Sequence, residues 1–475
     1  MQYGPILDQY PIFRHVQRVA DWLQLDTFVI GGFVRDILLK RSSQDIDIVC
    51  VGSGITLAQE VGKSLGIAQG VVTFKNFGTA SLHWKGWDVE FVGARKESYH
   101  SQSRKPIVEA GTLLDDQKRR DFTINTLAVQ LNSAHWGTLL DTFQGKEDLR
   151  KGVIKTPLRP AQTFSDDPLR MLRAIRFAVQ LNMSIASKTA VAIRNHAVRI
   201  NIISQERITT ELNKMIMATL PSRGFYLLHQ LDLLAIIFPE LAHLQGKETM
   251  QGQSHKDNFI HTLQVLDNVA QKSDNLWLRW AALLHDIAKP KTKRFNAKTG
   301  FTFHGHEEVG ANMVPSIFRR LRLPMRENMR YVRKLIRLHL RPIALAQEEV
   351  TDAAIRRLHH EAGDALEDLL LLCRADITSK NDAKVRRYLA NFNRVERRAQ
   401  DVADQDALRN FQPIITGETI MQTFGLPPSK IVGLLKSNIK EAILAGDINN
   451  EYEEAYALLL QLGIGQGLKP LTKPS

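Results

Sequence analysis

Two aspartates separated by one residue follow a glycine-rich turn, and together these features could bind metal ions and a phosphate. Asp45 and Asp47 flank Ile46 in a run that continues into apolar residues, which is typical of a β-strand. Because side chains alternate along a strand, both carboxylates face one side with Cα atoms ~7 Å apart, close enough to share a metal cluster. A tight turn and a solvated strand end are the simpler interpretation of either feature alone. Their combination at this spacing favours metal-assisted phosphoryl chemistry.

The glycine-rich turn joins a strand predicted over Thr27–Ile30 to a helix that begins near Val34. Gly31 and Gly32 allow backbone N–H groups to approach a phosphate closely, and Arg35 adds positive charge one turn into the helix. The sequence therefore predicts a phosphate-binding turn beside the paired aspartates.

A charged segment further along contains residue types that suit a nucleotide. Arg119 and Arg120 precede Asp121, and guanidinium donors beside a carboxylate acceptor suit a triphosphate and a ribose hydroxyl. An exposed charged loop is the alternative, and for this segment alone it is the preferred interpretation. Ahead of it, the polar run 96–111 is predicted to be a mobile loop that closes over substrates.

A second charged segment places Asp167, Arg170 and Arg173 three residues apart, on a predicted helix that Asp166 would cap and Pro168 would begin. A carboxylate accepts from an exocyclic amino group while a guanidinium donates to the adjacent ring nitrogen. Such a pair could select C and A over U and G without a template. A surface ion pair is the alternative, and without the N-terminal motifs it would be preferred.

Histidines and carboxylates in the middle of the chain have the types expected of metal ligands for phosphoester hydrolysis. His285 and Asp286 follow an apolar helical run, while His261 precedes them and Asp376 lies far downstream. Further candidates are His304, His306 and His339. For the first two of these, a purely structural role is the alternative.

The bulk composition indicates a globular protein of ~3 domains. No segment resembles a signal peptide or provides ~18 consecutive apolar residues, so no membrane association is expected and the cytoplasm is the predicted location. Cys50 and Cys373 lie in apolar runs and are predicted to be buried thiols in a reducing compartment. The net charge of +13 suits a polyanionic partner without establishing one.

The apolar periodicity divides the chain near residue 160. Before it, strand-like runs mix with helical intervals, and after it the pattern is almost entirely helical. The predicted strands are Thr27–Ile30, Ile46–Val51, Val71–Phe74, Thr79–His83, Trp87–Val92 and Leu127–Leu131. The predicted fold is an α+β head over 1–155, with a mixed sheet and flanking helices, followed by an all-α neck over 156–245, a helical body over 246–400 and a helical tail over 401–475.

Five motifs in this order resemble those of the class II tRNA nucleotidyltransferases, the CCA-adding enzymes related to bacterial poly(A) polymerases. The resemblance runs from about Phe28 to Leu212. It is carried by GGFVRD, DID, RRDFTIN, DDPLRMLRAIRF and the helix start with Gln205-Glu206-Arg207 and Glu211-Leu212. The chain departs from the family at Asp166, where the family usually has glutamate.

The resemblance implies specific roles for residues of the head and neck. Asp45 and Asp47 would bind Mg²⁺. The nucleotide would be bound by Gly32, Arg35, Arg120, Asp121, Asp167, Arg170 and Arg173, with Arg120 on the triphosphate and Asp121 on the ribose. The neck motif would support the base-reading helix through Glu206, Arg207 and Glu211. Glu90 resembles the strand acid that follows the catalytic pair, and its part in metal binding is left open.

The middle segment resembles the HD-type phosphohydrolase domains, named for a His-Asp pair. This resemblance implies a site for a divalent transition metal with His261, His285, Asp286 and Asp376 as ligands. The tail contains no motif of this kind. A basic helix with Lys436 and Lys440 could hold tRNA, and a solvated helix face is an equally good interpretation.

The predicted function is template-independent addition of CMP and AMP, from CTP and ATP, to the 3′ end of tRNA by two-metal nucleotidyl transfer. The first alternative is a poly(A) polymerase or an enzyme that adds only the terminal A, because the motifs barely separate these activities. The second is an HD-domain phosphohydrolase acting on RNA ends or nucleotides, and this activity could also accompany the first. A non-catalytic RNA-binding protein is the third. The oligomeric state is left open.

Overall fold

The computed structural model describes residues 2–475 except 76–77, 99–106, 247–248, 251–252, 255–256, 299, 346–350, 379–381, 411, 446 and 472–475. The chain forms two compact units. The first unit contains Met1–Leu340 with Glu367–Thr378, and the second contains Arg341–Leu366 with Ser379–Ser475. The division of the chain into head, neck, body and tail stays a prediction.

A seven-stranded mixed sheet forms the N-terminal part of the first unit. Its strands are β1 Thr27–Ile30, β2 Asp45–Cys50, β3 Val72–Phe74, β4 Thr79–Trp84, β5 Trp87–Gly93, β8 Ala128–Gln130 and β9 Leu139–Leu140, while β6 Arg95–Ser98 and β7 Ile107–Ala110 form a separate pair. The order in the sheet is β3-β4-β5-β2-β1-β8-β9, and only the β2–β5 pair is parallel among its strands. The predicted mixed sheet is confirmed, and each of the six predicted strands is present with ends within one residue.

The run 96–111 differs from the predicted loop. Strands β6 and β7 pair as an antiparallel ladder from Arg95↔Ala110 to Ser98↔Ile107. The loop prediction is therefore wrong over these residues, and its central part, 99–106, lies outside the described residues. A polar run is compatible with strand pairing because the ladder is made by backbone groups, which composition does not report.

Helices make up most of the remaining structure. They are α1 Gly4–Leu7, α2 Pro11–Trp22, α3 Gly32–Leu38, α4 Gly54–Ser64, α5 Leu113–Lys118, α6 Gly145–Lys151, α7 Pro160–Asp166, α8 Leu169–Gln180, α9 Ser187–His196, α10 Gln205–Ile216, α11 Ser222–Gln230, α12 Leu234–Ile237, α13 Pro239–Ala242, α14 Asn258–Ala270, α15 Leu276–Leu284, α16 Lys289–Thr292, α17 His306–Arg320, α18 Glu327–Leu338, α19 Arg341–Leu345, α20 Asp352–Ala362, α21 Leu366–Asp376, α22 Asp382–Asn410, α23 Gly417–Phe424, α24 Lys430–Ala445 and α25 Tyr452–Gly465. The strands that remain are short: β10 Val153–Ile154, β11 Ser184–Ile185, β12 Thr249–Met250, β13 Gln253–Ser254, β14 Arg294–Asn296 and β15 Gly300–Thr302.

Burial fixes the register of β2 and so the direction of its acidic side chains. Ile46 and Ile48 project from one face of the strand and are both buried. Asp45 and Asp47 project from the other face, which they share with the buried Val49. Each buried isoleucine contributes ~1.5–3 kcal/mol, and a shift of one residue would turn both outward. The apolar residues therefore hold the two carboxylates on the same side of the sheet.

Helix α8 presents its apolar stripe inward in the same way. The apolar residues that recur with helical spacing are all buried: Leu169, Leu172, Ala174, Ile175, Ala178 and Val179. Arg170 and Arg173 are only partly buried. The packing of α8 thus fixes which of its polar side chains can reach a ligand.

The second unit has an apolar core of its own in its C-terminal part. Helices α23, α24 and α25 contribute buried residues to one cluster: Ile415, Ile420, Phe424, Val432, Leu435, Ile439, Ala455 and Leu459. Gly425 ends α23 in the left-handed conformation, which glycine adopts readily at the end of a helix.

Candidate active site and candidate metal centre

A cleft of about 970 Å³ in the first unit is lined by the sheet, α3, α8 and the segment that follows α5. Every head and neck residue predicted to bind metal or nucleotide lines it: Gly32, Arg35, Asp45, Asp47, Arg120, Asp121, Asp167, Arg170 and Arg173. These residues are spread over more than 100 positions of the sequence, and the fold brings them together around one space.

Acidic residues of two adjacent strands, β2 and β5, line one side of the cleft. The parallel pairing of β2 and β5 places Asp47 opposite Glu90 and Asp45 opposite Asp88. Burial raises the pKa of Asp47, and the charge of Asp45 adds to this effect while Arg120 opposes it. Burial and Asp47 also raise the pKa of Glu90. Oxygen ligands that repel one another in this way fit a divalent cation.

Gly31 lies beside both an acidic and a basic side chain of the cleft. Its φ of +81° lies in the region that favours glycine. A Cβ atom at this position would lie 2.9 Å from Nη1 of Arg120 and 3.1 Å from Oδ2 of Asp47. Gly32 is less restricted, since the nearest atom to its Cβ position is Nη2 of Arg35 at 3.6 Å. Gly31 thus makes the closer approach to Arg120 and Asp47, and nucleotide binding by Gly32 stays a prediction.

Replacing Gly31 with alanine is expected to lower the rate of catalysis in this cleft by roughly 10–10²-fold, because the new methyl group displaces Asp47 and Arg120. Gly86 is a matched control, because its φ is +87° but its Cβ position has no neighbour within 4 Å. Gly86→Ala introduces the same backbone strain without the displacement. Thermal unfolding and turnover of both variants would separate the two effects. Equal loss of turnover in both would contradict this account.

A buried aspartate that the sequence interpretation did not select orients two arginines. The Asp116 carboxylate accepts hydrogen bonds from Nε of Arg119 at 2.9 Å and from Nε of Arg120 at 3.0 Å. Burial acts to raise the pKa of Asp116, but the two guanidinium groups outweigh it and lower that pKa. The spacing of three and four residues along α5 was the available signal. Asp116 thus presents Arg120 towards the cleft.

Arg35 is fixed by its neighbour and by the second motif. It donates to the Asp36 carboxylate through Nε and Nη2, at 2.9 Å each, and to Oδ1 of Asn125 through Nη1 at 2.9 Å. Asn125 also donates to Asp121, so one amide links two of the predicted nucleotide-binding residues. Its role was missed in the sequence because the contact with Arg35 spans 90 positions.

Asp121 is buried, and its carboxylate is already engaged by the protein. Oδ2 accepts from Nε of Arg173 at 2.8 Å, and Oδ1 accepts from Nδ2 of Asn125 at 2.9 Å and from the Phe122 backbone N–H at 2.8 Å. Burial opposes ionisation, but the charge of Arg173 and these hydrogen bonds lower the pKa of Asp121 to about 2. Asp121 therefore positions Arg173, and its predicted contact with a ribose stays a prediction.

The start of α8 corrects the predicted cap. Asp166 is the last residue of α7, whereas Oδ1 of Asp167 accepts from the Leu169 backbone N–H at 3.1 Å. The side chain of Asp167, and not that of Asp166, thus accepts a hydrogen bond at the start of α8. Pro168 begins the new turn, so Asp167 is the residue placed to accept from the backbone N–H groups that follow it. The other oxygen, Oδ2, lies 3.3 Å from Nη2 of Arg207.

Two ion pairs join the neck helix α10 to α8 and to the residues just before it. One is the pair between Asp167 and Arg207, and the other is a buried ion pair between Nε of Arg176 and Oε2 of Glu211 at 2.8 Å. The Arg176 guanidinium also lies 4.2 Å from the ring centroid of Phe177, a cation–π distance. These contacts hold α8 and α10 together, and the role of α8 in reading a base stays a prediction. Nothing in the sequence indicated that Phe177 would lie beside these charged residues.

A second cluster of candidate ligands lies in the helical part of the first unit. Nε2 of His261 lies 2.9 Å from Oδ1 of Asp376 and 3.4 Å from Oδ2 of Asp286, and Nε2 of His285 lies 3.2 Å from the same Asp286 oxygen. The four ligands predicted from the HD resemblance are therefore adjacent. Burial acts to lower the pKa of His285, but the two carboxylates outweigh it and raise that pKa to about 10.

Two of the three additional histidines also join this cluster. His306 and His339 are buried beside Asp286, whereas His304 is exposed. The Nε2 atoms of His285, His306 and His339 and Oδ2 of Asp286 are buried without a hydrogen bond of good geometry. Buried polar atoms of this kind require a partner, so the cluster fits a divalent metal ion.

Two other sequence expectations concern the rest of the chain. Cys50 and Cys373 are buried thiols, as predicted. No helix among the described residues is long and apolar enough to cross a membrane. In the tail, Nζ of Lys436 donates to Oε1 of Gln412 at 2.7 Å, and contact of this helix with RNA stays a prediction.

Three family models match successive parts of the chain. Residues 27–155 match the poly A polymerase head domain, residues 182–244 match a probable RNA and SrmB-binding site of polymerase A, and residues 258–381 match the HD domain. These families contain metal-dependent enzymes, which agrees with the two candidate metal sites.

Relatives with assigned names match most of the chain. An A-adding tRNA nucleotidyltransferase from Deinococcus radiodurans is 32% identical over 72% of this chain and 77% of its own length. A CC-adding tRNA nucleotidyltransferase from Thermus thermophilus is 30% identical over 92% of this chain and 93% of its own. A multifunctional CCA protein from Nitrosococcus oceani is 31% identical over 77% and 87%.

A solved structure shares the fold. The Thermotoga maritima CCA-adding enzyme complexed with tRNA superposes with a TM-score of 0.56, at 22% identity, over 95% of each chain. The likeness extends over nearly the whole length of both proteins. It supports the predicted architecture of an α+β head followed by helices.

Proposed function

Because this chain belongs to the tRNA nucleotidyltransferase family, we propose that it adds CMP and AMP to the 3′ end of tRNA without a nucleic-acid template. The single observation that carries the proposal is the composition of the cleft, in which carboxylates on β2 and β5 share one space with arginines from α3, α8 and the segment after α5. This is the distribution of charge that a metal-bound nucleoside triphosphate requires.

We assign the metal site of the cleft to Asp45 and Asp47, with Glu90 as a third ligand. Mg²⁺ suits these ligands because it prefers oxygen atoms and nucleotide phosphates. When bound, divalent cations supply Lewis-acid activation of the attacking 3′-hydroxyl and neutralise charge on the departing pyrophosphate. The alternation of β2 and its register with β5 hold the three carboxylates ready for this role.

The arginines bind and orient the triphosphate. Arg35, Arg120 and Arg173 each have a carboxylate partner that fixes the guanidinium before substrate arrives. A preorganised donor does not reorganise during reaction, and this is the larger part of its electrostatic benefit. Gly31 keeps the approach between Arg120 and Asp47 open.

Base selection is assigned to the pair Asp167 and Arg170 at the start of α8. Nη2 of Arg170 donates to the Arg119 carbonyl oxygen at 2.5 Å, and Asp167 is held by its capping bond and by Arg207. Both side chains are thus directed by the protein and retain further hydrogen-bonding capacity for a base edge. Cytosine and adenine present the matching amino group and ring nitrogen.

A phosphohydrolase activity at the His–Asp cluster is a second candidate function. The observation that favours it is the set of buried Nε2 atoms around Asp286 that lack a hydrogen bond of good geometry. His261, His285, Asp286 and Asp376 would hold a divalent transition metal there, since imidazole ligands suit such ions. A bound ion of this kind would activate water towards a phosphoester of an RNA end or a nucleotide.

The experiment that tests the first proposal uses tRNA transcripts that lack CCA, or that end in C or CC. Each transcript is incubated with CTP, ATP or both, and the products are resolved at single-nucleotide length. Addition of C, C and A followed by a stop supports the proposal. Two C residues alone would indicate a CC-adding enzyme, and a single A on the CC transcript an A-adding enzyme.

A long A tail, or no incorporation on any transcript, would contradict the proposal. Incorporation should weaken as salt rises, because the +13 charge of the chain favours contacts with the tRNA backbone. The cytoplasmic location stays a prediction.

A further inference from the structure

We propose that the face of β3 and β4 beside the acidic residues of the cleft binds the 3′-terminal nucleotide of the acceptor RNA, with Phe74 stacking on its base. The inference rests on the proposed nucleotide addition and names the residues of this chain that contact the end to be extended.

A row of paired residues runs from the acidic strands to the edge of the sheet. Asp47 of β2 pairs with Glu90 of β5. Glu90 pairs in turn with Ser81 of β4, which pairs with Val72 of β3. Residues directly opposite one another on neighbouring strands project from the same face. Ser81 and Val72 therefore share the face of Asp47, and three strand spacings of ~4.8 Å place Val72 ~14 Å from it.

Two further rows lie on either side of this one. On one side His83 of β4 pairs with Asp88, and on the other Phe74 of β3 pairs with Thr79. The residues of β3 and β4 that line the cleft on this face are Val72, Thr79, Ser81 and His83. Phe74 extends the face beyond them, because it lies two residues after Val72 on the same strand.

The apolar side chains at the edge of this face are exposed. Val72 and Phe74 are 54% and 47% exposed, and β3 is an edge strand of the sheet. The opposite face carries the core, since Ala80 and Leu82 of β4 project there and are buried. Phe74 is thus not needed to fill the core. An exposed aromatic ring beside a nucleotide cleft can stack on a base of any identity, because every base has a π-face.

The geometry of the reaction indicates the side from which the RNA approaches. In an in-line displacement, the attacking oxygen and the leaving group lie on opposite sides of the reacting phosphorus. The arginines assigned to the triphosphate lie near β1: Arg35 is on the helix that follows it, and Nη1 of Arg120 lies 2.9 Å from the Cβ position of Gly31.

The order of the strands then separates the two substrates. It places β1 on one side of β2, and β5, β4 and β3 on the other side. The departing pyrophosphate therefore lies towards β1. The attacking 3′-hydroxyl must come from the opposite direction, over β5, and the nucleotide that carries it lies over β4 and β3.

The polar residues of β4 suit the sugar of that nucleotide. Nδ1 of His83 lies 2.7 Å from Oδ1 of Asp88. A carboxylate can only accept, so Nδ1 carries the proton and Nε2 can accept from a ribose hydroxyl. The Ser81 hydroxyl both donates and accepts. The face thus combines sugar contacts near the acidic residues with a stacking surface at the edge, and its ligand class is the unpaired 3′ end of an RNA.

A fluorescent base at the RNA terminus tests the stacking. A tRNA that lacks CCA and carries 2-aminopurine at its 3′ terminus is saturated with the full-length chain in the presence of Mg²⁺. Stacking on an aromatic ring quenches this base. We expect quenching by the unmodified chain and by Phe74→Tyr, which keeps the ring, and loss of at least half of it with Phe74→Leu.

Steady-state kinetics provide a second readout that a merely structural role would not change. In Phe74→Leu, kcat/KM for tRNA should fall by roughly 10-fold, while KM for CTP stays within about twofold. Phe74→Tyr should restore the rate. Trp22→Leu is the matched control, because it removes an aromatic side chain that is 68% exposed on α2, outside the lining of the cleft. It should change neither constant.

Val72→Glu gives an independent test on the same face. The new carboxylate would repel RNA phosphates, so both the quenching and kcat/KM for tRNA should fall. Val72 is more than half exposed, so this variant decides the question if circular dichroism shows that Phe74→Leu does not fold.

The outcomes separate this inference from the function on which it rests. Incorporation by the unmodified chain without quenching, or with quenching and rates that Phe74→Leu and Val72→Glu leave unchanged, overturns the stacking surface and leaves the proposed function. An equal rise of KM for CTP and for tRNA in Phe74→Leu also overturns it. Absence of incorporation by the unmodified chain on every transcript overturns the proposed function itself.

Discussion

Replacing Asp47 with asparagine is expected to reduce nucleotide addition by roughly 10³-fold or more, while tRNA binding is retained. Asp47 has Asp45 on its own strand and Glu90 opposite it on β5, so it neighbours both of the other proposed metal ligands. Asparagine preserves the shape of the side chain but removes the charge that a divalent cation requires. Single-turnover incorporation of CMP, with filter binding of tRNA alongside, measures both quantities.

Asp26 provides the matched control for this prediction. It precedes β1 at the end of the sheet away from the cleft, where its carbonyl oxygen accepts from the Val51 backbone N–H at 2.8 Å, and its side chain is exposed. Asp26→Asn makes the same chemical change on the same sheet and should leave incorporation within about twofold of the unmodified chain, as surface substitutions usually do. Similar turnover in the two variants would remove Asp47 from the catalytic machinery.

Local patterns in the sequence were sufficient to predict the strands and the acidic pair. Alternation along β2 directs Asp45 and Asp47 to one face, and this depends only on neighbouring residues. The helical spacing of Asp167, Arg170 and Arg173 is equally local. The strand ends agreed within one residue because glycine and polar residues border each apolar run.

Contacts between distant residues could not be read from these patterns. The register that places Glu90 beside Asp47 is set by pairing of β2 with β5, two strands separated by β3 and β4 in the chain. Asn125 contacts Arg35 across 90 positions. Neither pairing has a spacing that single-sequence reasoning can use, so partners of the predicted residues emerged only from the fold.

The candidate ligands of the His–Asp cluster show the same limit of reasoning from a single sequence. The HD resemblance supplied His261, His285, Asp286 and Asp376, which are adjacent in the structure. His304 and His306 cannot be distinguished as candidate metal ligands from the sequence, because they are only two residues apart. The fold separates them, since His306 begins α17 and is buried while His304 remains exposed.

Breaking the ion pair between Glu211 and Arg176 is expected to have the largest effect on stability among the neck contacts. The two side chains are only 5% and 10% exposed, and Nε of Arg176 lies 2.8 Å from Oε2 of Glu211. Glu211→Gln leaves a buried guanidinium without its counter-charge, which typically costs about 3–5 kcal/mol. We expect the free energy of unfolding to fall by this amount in urea titrations.

Glu206 tests whether burial causes this effect, because it lies on the same helix and pairs with Arg322 at 3.6 Å while both side chains are about 65% exposed. Glu206→Gln makes an identical chemical change, and an exposed pair of this kind contributes about 0–1 kcal/mol. A large difference between the two variants would show that α10 stabilises α8 through one buried contact. If Glu211→Gln were as mild as Glu206→Gln, that support would have to come from apolar packing instead. Since α8 carries Asp167, Arg170 and Arg173, base selection should then remain unchanged in both variants.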